Sequence, residues 1–222
     1  MNNLTLLLFI LSIAFFSCKK DEKQTYDEAT KQLLVPYIAG SYIVYKVDSA
    51  IYDDFKDTVL YSTSYIHYQI DSINNGIQGR KLYSVNVYQK KDSNAPWNYD
   101  KTHLWALTDK YFETQFDNFR TIALSFPLNL ETLWNFNLYN SSQSINRYYL
   151  AVDDTFKMRG IIYKNVVKVE NEPKSNSVLQ KNNFEVYAKK IGCIYKKITN
   201  IETQLGKKRG YQIIYTLHDY KI

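Results

Sequence analysis

The length, composition and charge of the chain already exclude several classes of protein. Its 222 residues carry a formal net charge of +6, 16% are aromatic, and Gly and Pro are sparse at 7 and 4 residues, which excludes a disordered or fibrous chain and is typical of one globular domain. The basic residues are spread along the chain and no nucleic-acid recognition motif accompanies them, so we predict no nucleic-acid partner.

The N-terminus has the pattern of a bacterial export signal. The stretch Leu4–Phe16 is uncharged, yet it is shorter than the roughly 20 apolar residues that span a bilayer, so it matches the core of a signal peptide. Ser17 and Cys18 follow, and charges begin at Lys19. A small residue and a Cys just beyond an apolar core resemble a lipobox, which implies that residues 1–17 are removed and that Cys18 carries the lipid. An ordinary cleaved signal with an incidental Cys18 is the alternative.

The residues after Cys18 suggest where the protein is displayed. Lys20, Asp21 and Glu22 resemble the short export signal of Bacteroidetes-type surface lipoproteins, which implies an outer-membrane location and exposure on the cell surface. Residues 18–28 then form a polar, lipid-anchored tether, because chain ends of this composition rarely pack. Residues 29–222 remain as a single domain.

The first half of that domain changes from helix to alternating strands. We predict a short helix over Tyr26–Leu34 that Pro36 stops. From Gly40 apolar and polar residues alternate as in antiparallel strands, and Asn74-Asn75-Gly76 predicts a hairpin turn because Asn and Gly tolerate positive φ. The segment Asp92–Asn98 is predicted to be a loop.

The second half continues the alternation almost to its end. A polar loop is predicted over residues 170–183. The strands predicted around it are His103–Thr108, Tyr111–Gln115, Arg120–Phe126, Leu133–Tyr139, Arg147–Val152, Gly160–Val169, Phe184–Thr199 with a break at Gly192, and Tyr211–Tyr220. With about ten strands and no further helix, the fold class is mainly β: an antiparallel, curved sheet, partial barrel or sandwich with a short N-terminal helix.

A faint internal repeat points to two related lobes. Residues 36–45 align with residues 127–136: each copy has a Pro, a turn, a hydroxyl residue and then an alternating aromatic strand. Both copies resemble the segment Pro-x-x-x-Gly-x-x-Trp that opens sheets in many uncharacterised Bacteroidetes lipoproteins. Ile43 and Trp134 occupy the same position of the two copies, where we expect buried side chains. A true duplication and a chance match of two strand starts both remain open.

Residues that carry chemistry are scattered. His67, His103 and His218 lack the spacing of a metal site, so we predict neither a metal nor a cofactor. Cys193 lies in an apolar run, where a buried, unreactive thiol is expected. The adjacent pairs Asp53-Asp54 and Asp153-Asp154 form no automatic catalytic dyad, because neighbours on a strand point to opposite faces. A non-catalytic binding or accessory module is therefore favoured over its alternative, a secreted hydrolase acting on glycans.

Two kinds of surface site remain as hypotheses. Trp97, in a predicted loop, is the best candidate for stacking against a ligand, and the partners we expect are a glycan, a lipid or an envelope protein. Asp-Ser/Thr followed by a small or aliphatic residue resembles the O-glycosylation motif of secreted Bacteroidetes proteins, which implies candidate sites at Ser49, Thr58 and Ser72. The sequence leaves the oligomeric state open.

Overall fold

A computed structural model describes residues 28–222 as one α-helix, one short 3₁₀ helix (Ile77–Gly79) and thirteen β-strands. The predicted signal peptide, the predicted lipid-attachment residue Cys18 and the predicted export signal at Lys20, Asp21 and Glu22 lie outside the described residues. The elements are α1 (Glu28–Leu34), β1 (Tyr42–Asp53), β2 (Thr58–Asn75), β3 (Lys81–Lys90), β4 (Asn98–Leu107), β5 (Tyr111–Phe116), β6 (Phe119–Ser125), β7 (Leu133–Asn135), β8 (Asn146–Met158), β9 (Ile161–Asn171), β10 (Lys174–Ser175), β11 (Leu179–Ala188), β12 (Gly192–Gln204) and β13 (Lys207–Lys221).

The strands form one antiparallel sheet in two successive meanders. Its order is β6-β5-β4-β3-β2-β1-β13-β12-β11-β9-β8-β7, and the short β10 pairs with β11 beside this path. Consecutive strands pair within each meander, except that β9 pairs with β11, while β6 and β7 stand at the two ends of the sheet. The two meanders join where β1 pairs with β13, from Tyr42 opposite Lys221 to Tyr52 opposite Gly210. Adjacent strands connected by short loops are the simplest antiparallel topology.

The sheet curls until its two terminal strands almost meet. The backbone N–H of Ile122 in β6 donates to the carbonyl of Phe136, just beyond β7, at 2.9 Å, and the indole Nε1 of Trp134 donates to the carbonyl of Ile122 at 3.1 Å. The backbone N–H of Ser125 donates to the hydroxyl of Tyr149 at 3.0 Å. The result is a nearly closed barrel, which confirms the prediction of a mainly antiparallel β fold with a curved sheet and a short N-terminal helix.

Helix α1 and residues 35–41 after it close one end of the barrel, and we call them the plug. Leu34 and Val35 are almost fully buried, and the backbone N–H of Lys190 donates to the carbonyl of Leu33 at 2.5 Å. Gly192, with φ of +96°, lies under Tyr37: a Cβ added there would stand 2.0 Å from the tyrosine hydroxyl oxygen. Only glycine allows both this backbone conformation and this close approach, so Gly192 fixes the position of the plug.

The two segments of the predicted internal repeat share a turn. In each, a turn closes with a backbone bond three residues back, from Ser41 N–H to the carbonyl of Ile38 at 3.0 Å and from Thr132 N–H to the carbonyl of Asn129 at 2.9 Å. Ile43 is 2% exposed and Trp134 is 6% exposed, which confirms that both are buried. The two aligned segments lead into β1 and β7, the first strands of the two meanders along the chain.

The structure corrects several predicted boundaries. The prediction of a polar loop over residues 170–183 is wrong, because β9 continues to Asn171 and β11 begins at Leu179. Polar residues predominate there, which hid the strands from a hydrophobic pattern. The strand predicted over Leu133–Tyr139 ends at Asn135, and about ten predicted strands become thirteen. A hairpin forms after Asn75 as predicted, but its turn lies later than predicted: Asn74 and Asn75 are paired within β2, Gly76 has a φ of −85°, and the positive φ of +74° is at Gly79. The break at Gly192 is confirmed.

Candidate functional site

A cavity of about 370 Å³ lies inside the barrel beyond the plug. Tyr37 forms part of its closed end, and the exposed side chains of Gln89, Asp100 and Phe116 stand at its opening. A volume of this size falls within the range of small-molecule sites, roughly 300–1,000 Å³. The barrel interior is thus a pocket that is accessible from one side.

A continuous row of rings forms one wall of this cavity. Starting at the plug, the ring of Tyr37 lies 5.3 Å from that of Trp105, and Trp105 lies 5.8 Å from Tyr68. Tyr68 in turn contacts His103, which contacts Phe116 at the opening, both at 5.8 Å between centroids. These strands turn every second side chain inwards, so aromatic residues at alternate positions build an apolar wall.

Three charged side chains lie against the cavity in addition to the aromatic wall. The Glu185 carboxylate lies 3.0 Å from Nη2 of Arg147 and 3.1 Å from Nζ of Lys196, and it accepts a 2.7 Å hydrogen bond from the hydroxyl of Tyr187. Burial alone would raise the pKa of Glu185, but the two cations outweigh it and lower the pKa to about 2. The carboxylate is therefore ionised at neutral pH.

Arg147 keeps unused hydrogen-bonding capacity although its side chain is completely buried. Its Nη1 donates to the carbonyl of Ala123 at 3.3 Å, and the guanidinium stands 5.0 Å from the ring centre of Phe136. Its Nε and Nη2 have no hydrogen-bond acceptor in the described part of the chain, since Nη2 lies close to Glu185 without the alignment of a hydrogen bond. Buried polar groups are nearly always satisfied, so a free donor beside a cavity marks a place for a ligand or water.

Lys196 and Glu185 complete the cluster, and its charges do not balance. The Lys196 side chain is 32% accessible and lines the cavity. Burial works against its charge, but Glu185 outweighs this and raises the pKa of Lys196. Two cations therefore face one anion, and the cluster has an excess of one positive charge. No sequence motif indicated this site, because its members lie on β8, β11 and β12 and meet only through the register of the sheet.

His103 and Cys193, which also line the cavity, are both uncharged at neutral pH. Burial, followed by the nearby Lys101, lowers the pKa of His103. Burial and the charge of Glu185 raise the pKa of Cys193 to about 12, so its thiol stays protonated at neutral pH. Cys193 is half-buried and packs against the core while also lining the cavity. The raised pKa disfavours the reactive thiolate, in line with the sequence prediction, but the side chain is half-buried where full burial was expected.

Trp97 belongs to a second hollow, on the outer face of the barrel. This outer aromatic patch consists of Tyr42, Tyr65, His67, Tyr88, Trp97 and His218. Trp97 is 37% exposed, its ring lies 5.3 Å from that of His67, and the ammonium of Lys90 stands 4.7 Å from its centre. Burial lowers the pKa of His67, whose buried Nε2 has no partner among the described residues. The indole is thus accessible, but it is partly covered by Lys90.

The three candidate glycosylation sites differ in accessibility. Thr58 is exposed at the start of β2, whereas Ser49 is half-buried and its Oγ lies 3.1 Å from that of Ser62. Ser72 is half-buried at an irregularity between β2 and β3. Thr58 is therefore the most accessible of the three.

The adjacent carboxylate pairs have structural contacts in the fold. Asp53 Oδ1 accepts the backbone N–H groups of Phe55 and Lys56 in the β1–β2 turn, each at 3.0 Å. Asp153 and Asp154 point to different lysines, Lys189 at 2.6 Å and Lys168 at 2.5 Å. Within residues 28–222 no three His, Cys, Asp or Glu side chains group as metal ligands. In the same range, no helix combines the length and apolar character needed to cross a membrane.

Comparison with known proteins identifies the fold and no family. No protein-family profile matches the chain, and no curated protein matches its sequence. A protein of Parabacteroides distasonis ATCC 8503, provisionally named a lipoprotein, superposes with a TM-score of 0.50 at 11% identity, over 83% of this chain and 96% of its own. A protein of Bacteroides fragilis NCTC 9343, provisionally named an exported protein with a YmcC-like fold, gives a TM-score of 0.48 at 12% identity, over 83% and 97%. The protein of Parabacteroides distasonis thus shares the fold of this chain.

Proposed function

We propose that the protein is a lipid-anchored, non-catalytic binding protein of the cell envelope that holds a small ligand inside its barrel. The observation that carries this proposal is the cavity itself, which is open at one side and combines an aromatic wall with the buried, partly unsatisfied guanidinium of Arg147. Barrels large enough to leave their interior unfilled are a recurrent architecture for holding one small ligand.

A binding role fits the protonation states of the cavity better than hydrolysis. Glu185 is held ionised by two cations, so it is a poor proton donor, and Cys193 is held as a thiol. Hydrolysis of a glycosidic bond needs one carboxyl group that can donate a proton and a second that acts as base or nucleophile. Asp100, the other carboxylate that lines the cavity, lies at its exposed opening.

Ligand uptake can be tested with N-phenyl-1-naphthylamine, a neutral probe that fluoresces in apolar surroundings. Ile66 lines the cavity, so Ile66→Trp should obstruct it with a large ring and reduce probe binding at least about tenfold, because overpacked interiors do not readily expand. The neighbouring Tyr65 lies in the outer aromatic patch, and Tyr65→Trp is the matched control, which should bind like the wild type. Equal binding by all three proteins would contradict an internal site.

The lipid anchor is proposed on separate grounds. The Ser17-Cys18 junction has the pattern of a lipobox, and a protein of the same fold is provisionally named a lipoprotein. Several acyl chains on one Cys would hold the protein stably, since a single chain gives only marginal membrane binding. Cys18→Ala should leave a precursor that is not cleaved and does not incorporate labelled palmitate. A variant that still matures and takes up label would disprove lipidation at Cys18.

Surface display depends on a different segment. Protease added to intact cells should remove the domain from the wild type, whereas replacing Lys20, Asp21 and Glu22 by Ala should protect it by retaining it on the periplasmic side. A variant that carries the same three residue types in a different order keeps the composition of the segment and serves as the control. If the triple Ala variant is digested as fast as the wild type, these residues do not direct export.

The outer aromatic patch supports a second candidate function, the docking of a glycan. Its accessible indole at Trp97 offers a stacking surface, and the charged side chains of Lys90 and Asp219 line the same hollow. Trp97→Ala should then abolish retention on a glycan array, whereas Tyr99→Ala, a nearby exposed ring, should not.

Among the O-glycosylation candidates we propose Thr58 first, and mass spectrometry of the secreted protein should find the sugar on Thr58 before Ser49 or Ser72.

A further inference from the structure

We infer that the ligand of the barrel interior is an apolar monocarboxylate whose carboxylate binds between Arg147 and Lys196. This inference rests on the proposed function and specifies the chemistry of its ligand. The excess positive charge of the Arg147–Glu185–Lys196 cluster lies against the cavity, and a monoanion would balance it. A neutral or cationic ligand would leave the charges of the cluster unbalanced.

The hydrogen-bonding groups of the cluster also match a carboxylate. Nε and Nη2 of Arg147 are adjacent donors on one edge of a guanidinium, the arrangement that binds the two oxygens of a carboxylate, and both lack an acceptor within residues 28–222. Lys196 supplies a further cation that is accessible from the cavity. The existing acid, Glu185, already has Lys196 and the hydroxyl of Tyr187 as partners, and its Oε2 stands 3.0 Å from Nη2 of Arg147 without forming a hydrogen bond. Both donors of this edge therefore remain without an acceptor within residues 28–222.

The rest of the cavity requires an apolar body on the same molecule. Its wall from Trp105 through Tyr68 to Phe116 is aromatic, and Ile66 and Val87 add aliphatic surface. A small inorganic anion would satisfy the cations and leave this wall in contact with water. An anion with an apolar tail or ring fills both parts of the cavity at once.

The experiment is equilibrium dialysis of the mature, lipid-bearing protein in one nonionic detergent against radiolabelled decanoate, decanol and 2-naphthoate. Decanoate and decanol differ in their charged group, and 2-naphthoate replaces the aliphatic chain by an aromatic body. At least one carboxylate should bind about tenfold more tightly than decanol, the effect expected of a charge-assisted hydrogen bond. The identity of the tighter carboxylate shows whether the body is aliphatic or aromatic.

Two neighbouring lysines provide the matched variants. Lys196→Met should abolish the preference for the carboxylate, whereas Lys197→Met, on the next residue of β12 and outside the cavity, should retain it. Arg147→Lys, which keeps the charge but loses the paired donors, should weaken the carboxylate while leaving decanol unchanged. If Arg147→Lys does not fold, the comparison of Lys196→Met with Lys197→Met still shows whether the cluster selects a carboxylate.

The outcomes separate this inference from the proposed function. Equal binding of decanoate, 2-naphthoate and decanol that Ile66→Trp abolishes would overturn the carboxylate and retain the internal site. Binding that Ile66→Trp does not change would overturn both. A preference for carboxylates that survives in Lys196→Met would also overturn the inference, because the excess charge would then play no part.

Discussion

The two hollows of the barrel are built by the same strands and have different physical characters. Along β1 and β2, Tyr45 and Tyr68 line the interior cavity, while their neighbours Val44 and His67 line the outer aromatic patch. Both hollows are rich in rings. Only the interior one holds a completely buried charge, the guanidinium of Arg147, with two donors that have no acceptor in the described residues.

This difference shows which hollow carries the stronger signal of function. Burying charges is expensive, and a buried ion pair often stabilises a protein no better than apolar residues of the same size. The interior cluster is therefore better explained as a binding site than as a device for stability. The outer aromatic patch pairs half-buried rings with solvent-exposed groups such as Trp97 and needs no such explanation. Four predictions test this contrast.

The largest effect is expected at the seam that closes the barrel. Trp134→Ala should lower the free energy of unfolding by about 3–5 kcal/mol, because it removes a buried ring and the hydrogen bond from Nε1 to the carbonyl of Ile122. Chemical denaturation measures the change. Trp134→Phe is the control and should lose less, since it retains most of the packing. A loss below about 1 kcal/mol for Trp134→Ala would show that the seam does not stabilise the barrel.

A smaller effect should follow from removing the buried guanidinium. Arg147→Met should destabilise by about 3 kcal/mol, the low end for a broken buried pair, because Lys196 still compensates Glu185. Adding Glu185→Gln to this variant should recover part of the loss, since the uncompensated carboxylate is then absent. If the double variant is less stable than Arg147→Met by the full effect of Glu185→Gln alone, the two residues are not coupled.

The acid stability of the protein should depend on Glu185. Its pKa is lowered from 4.5 to about 2 in the folded state, so its stabilising contribution, roughly 3 kcal/mol, is present above pH 4.5 and is lost as the pH falls towards 2. Denaturation curves between pH 7 and about pH 2.5 should show this loss in the wild type and a smaller loss in Glu185→Gln. Parallel curves would contradict the ionised, paired state of Glu185.

The smallest effect is expected in the outer aromatic patch. Trp97→Ala should change the free energy of unfolding by less than about 1 kcal/mol, because its ring is partly exposed and lies in the loop before β4. Comparing the loss of unfolding free energy in Trp97→Ala with that in Trp134→Ala contrasts the outer face of the barrel with its seam. A larger loss for Trp97→Ala than for Trp134→Ala would reverse the two assignments.

The sequence predicts the parts of this molecule that depend on local patterns. Alternation identified most strands, the residues around Asn75 and Gly76 predicted a hairpin, and the aligned residues Ile43 and Trp134 predicted two equivalent buried positions. The strands around residues 170–183 were missed because their composition is mostly polar. Trp97 was found as an exposed loop residue, but the ammonium of Lys90 over its ring comes from another part of the chain.

The interior cluster lay beyond sequence reasoning for a physical reason. Arg147 is far in the chain from Glu185 and Lys196, which face each other across one hairpin, and a charged residue inside an alternating strand is also the pattern of a solvent-facing position. A shift of the register by one residue would send any of them to the outer face. Glu185 follows Phe184 and precedes Val186, and whether it points inwards is decided by the pairing of β11 with its neighbours.

The most direct test of an internal binding site uses the three tryptophans as reporters. Trp105 lines the cavity, Trp97 lies in the outer aromatic patch and Trp134 closes the seam, so the three indole N–H signals of ¹⁵N-labelled protein report on three regions. Their assignment follows from Trp97→Phe and Trp134→Phe. On titration with decanoate the signal of Trp105 should shift and saturate while that of Trp97 stays in place. A saturating shift of Trp97 with Trp105 unchanged would place the ligand on the outer face and contradict binding inside the barrel.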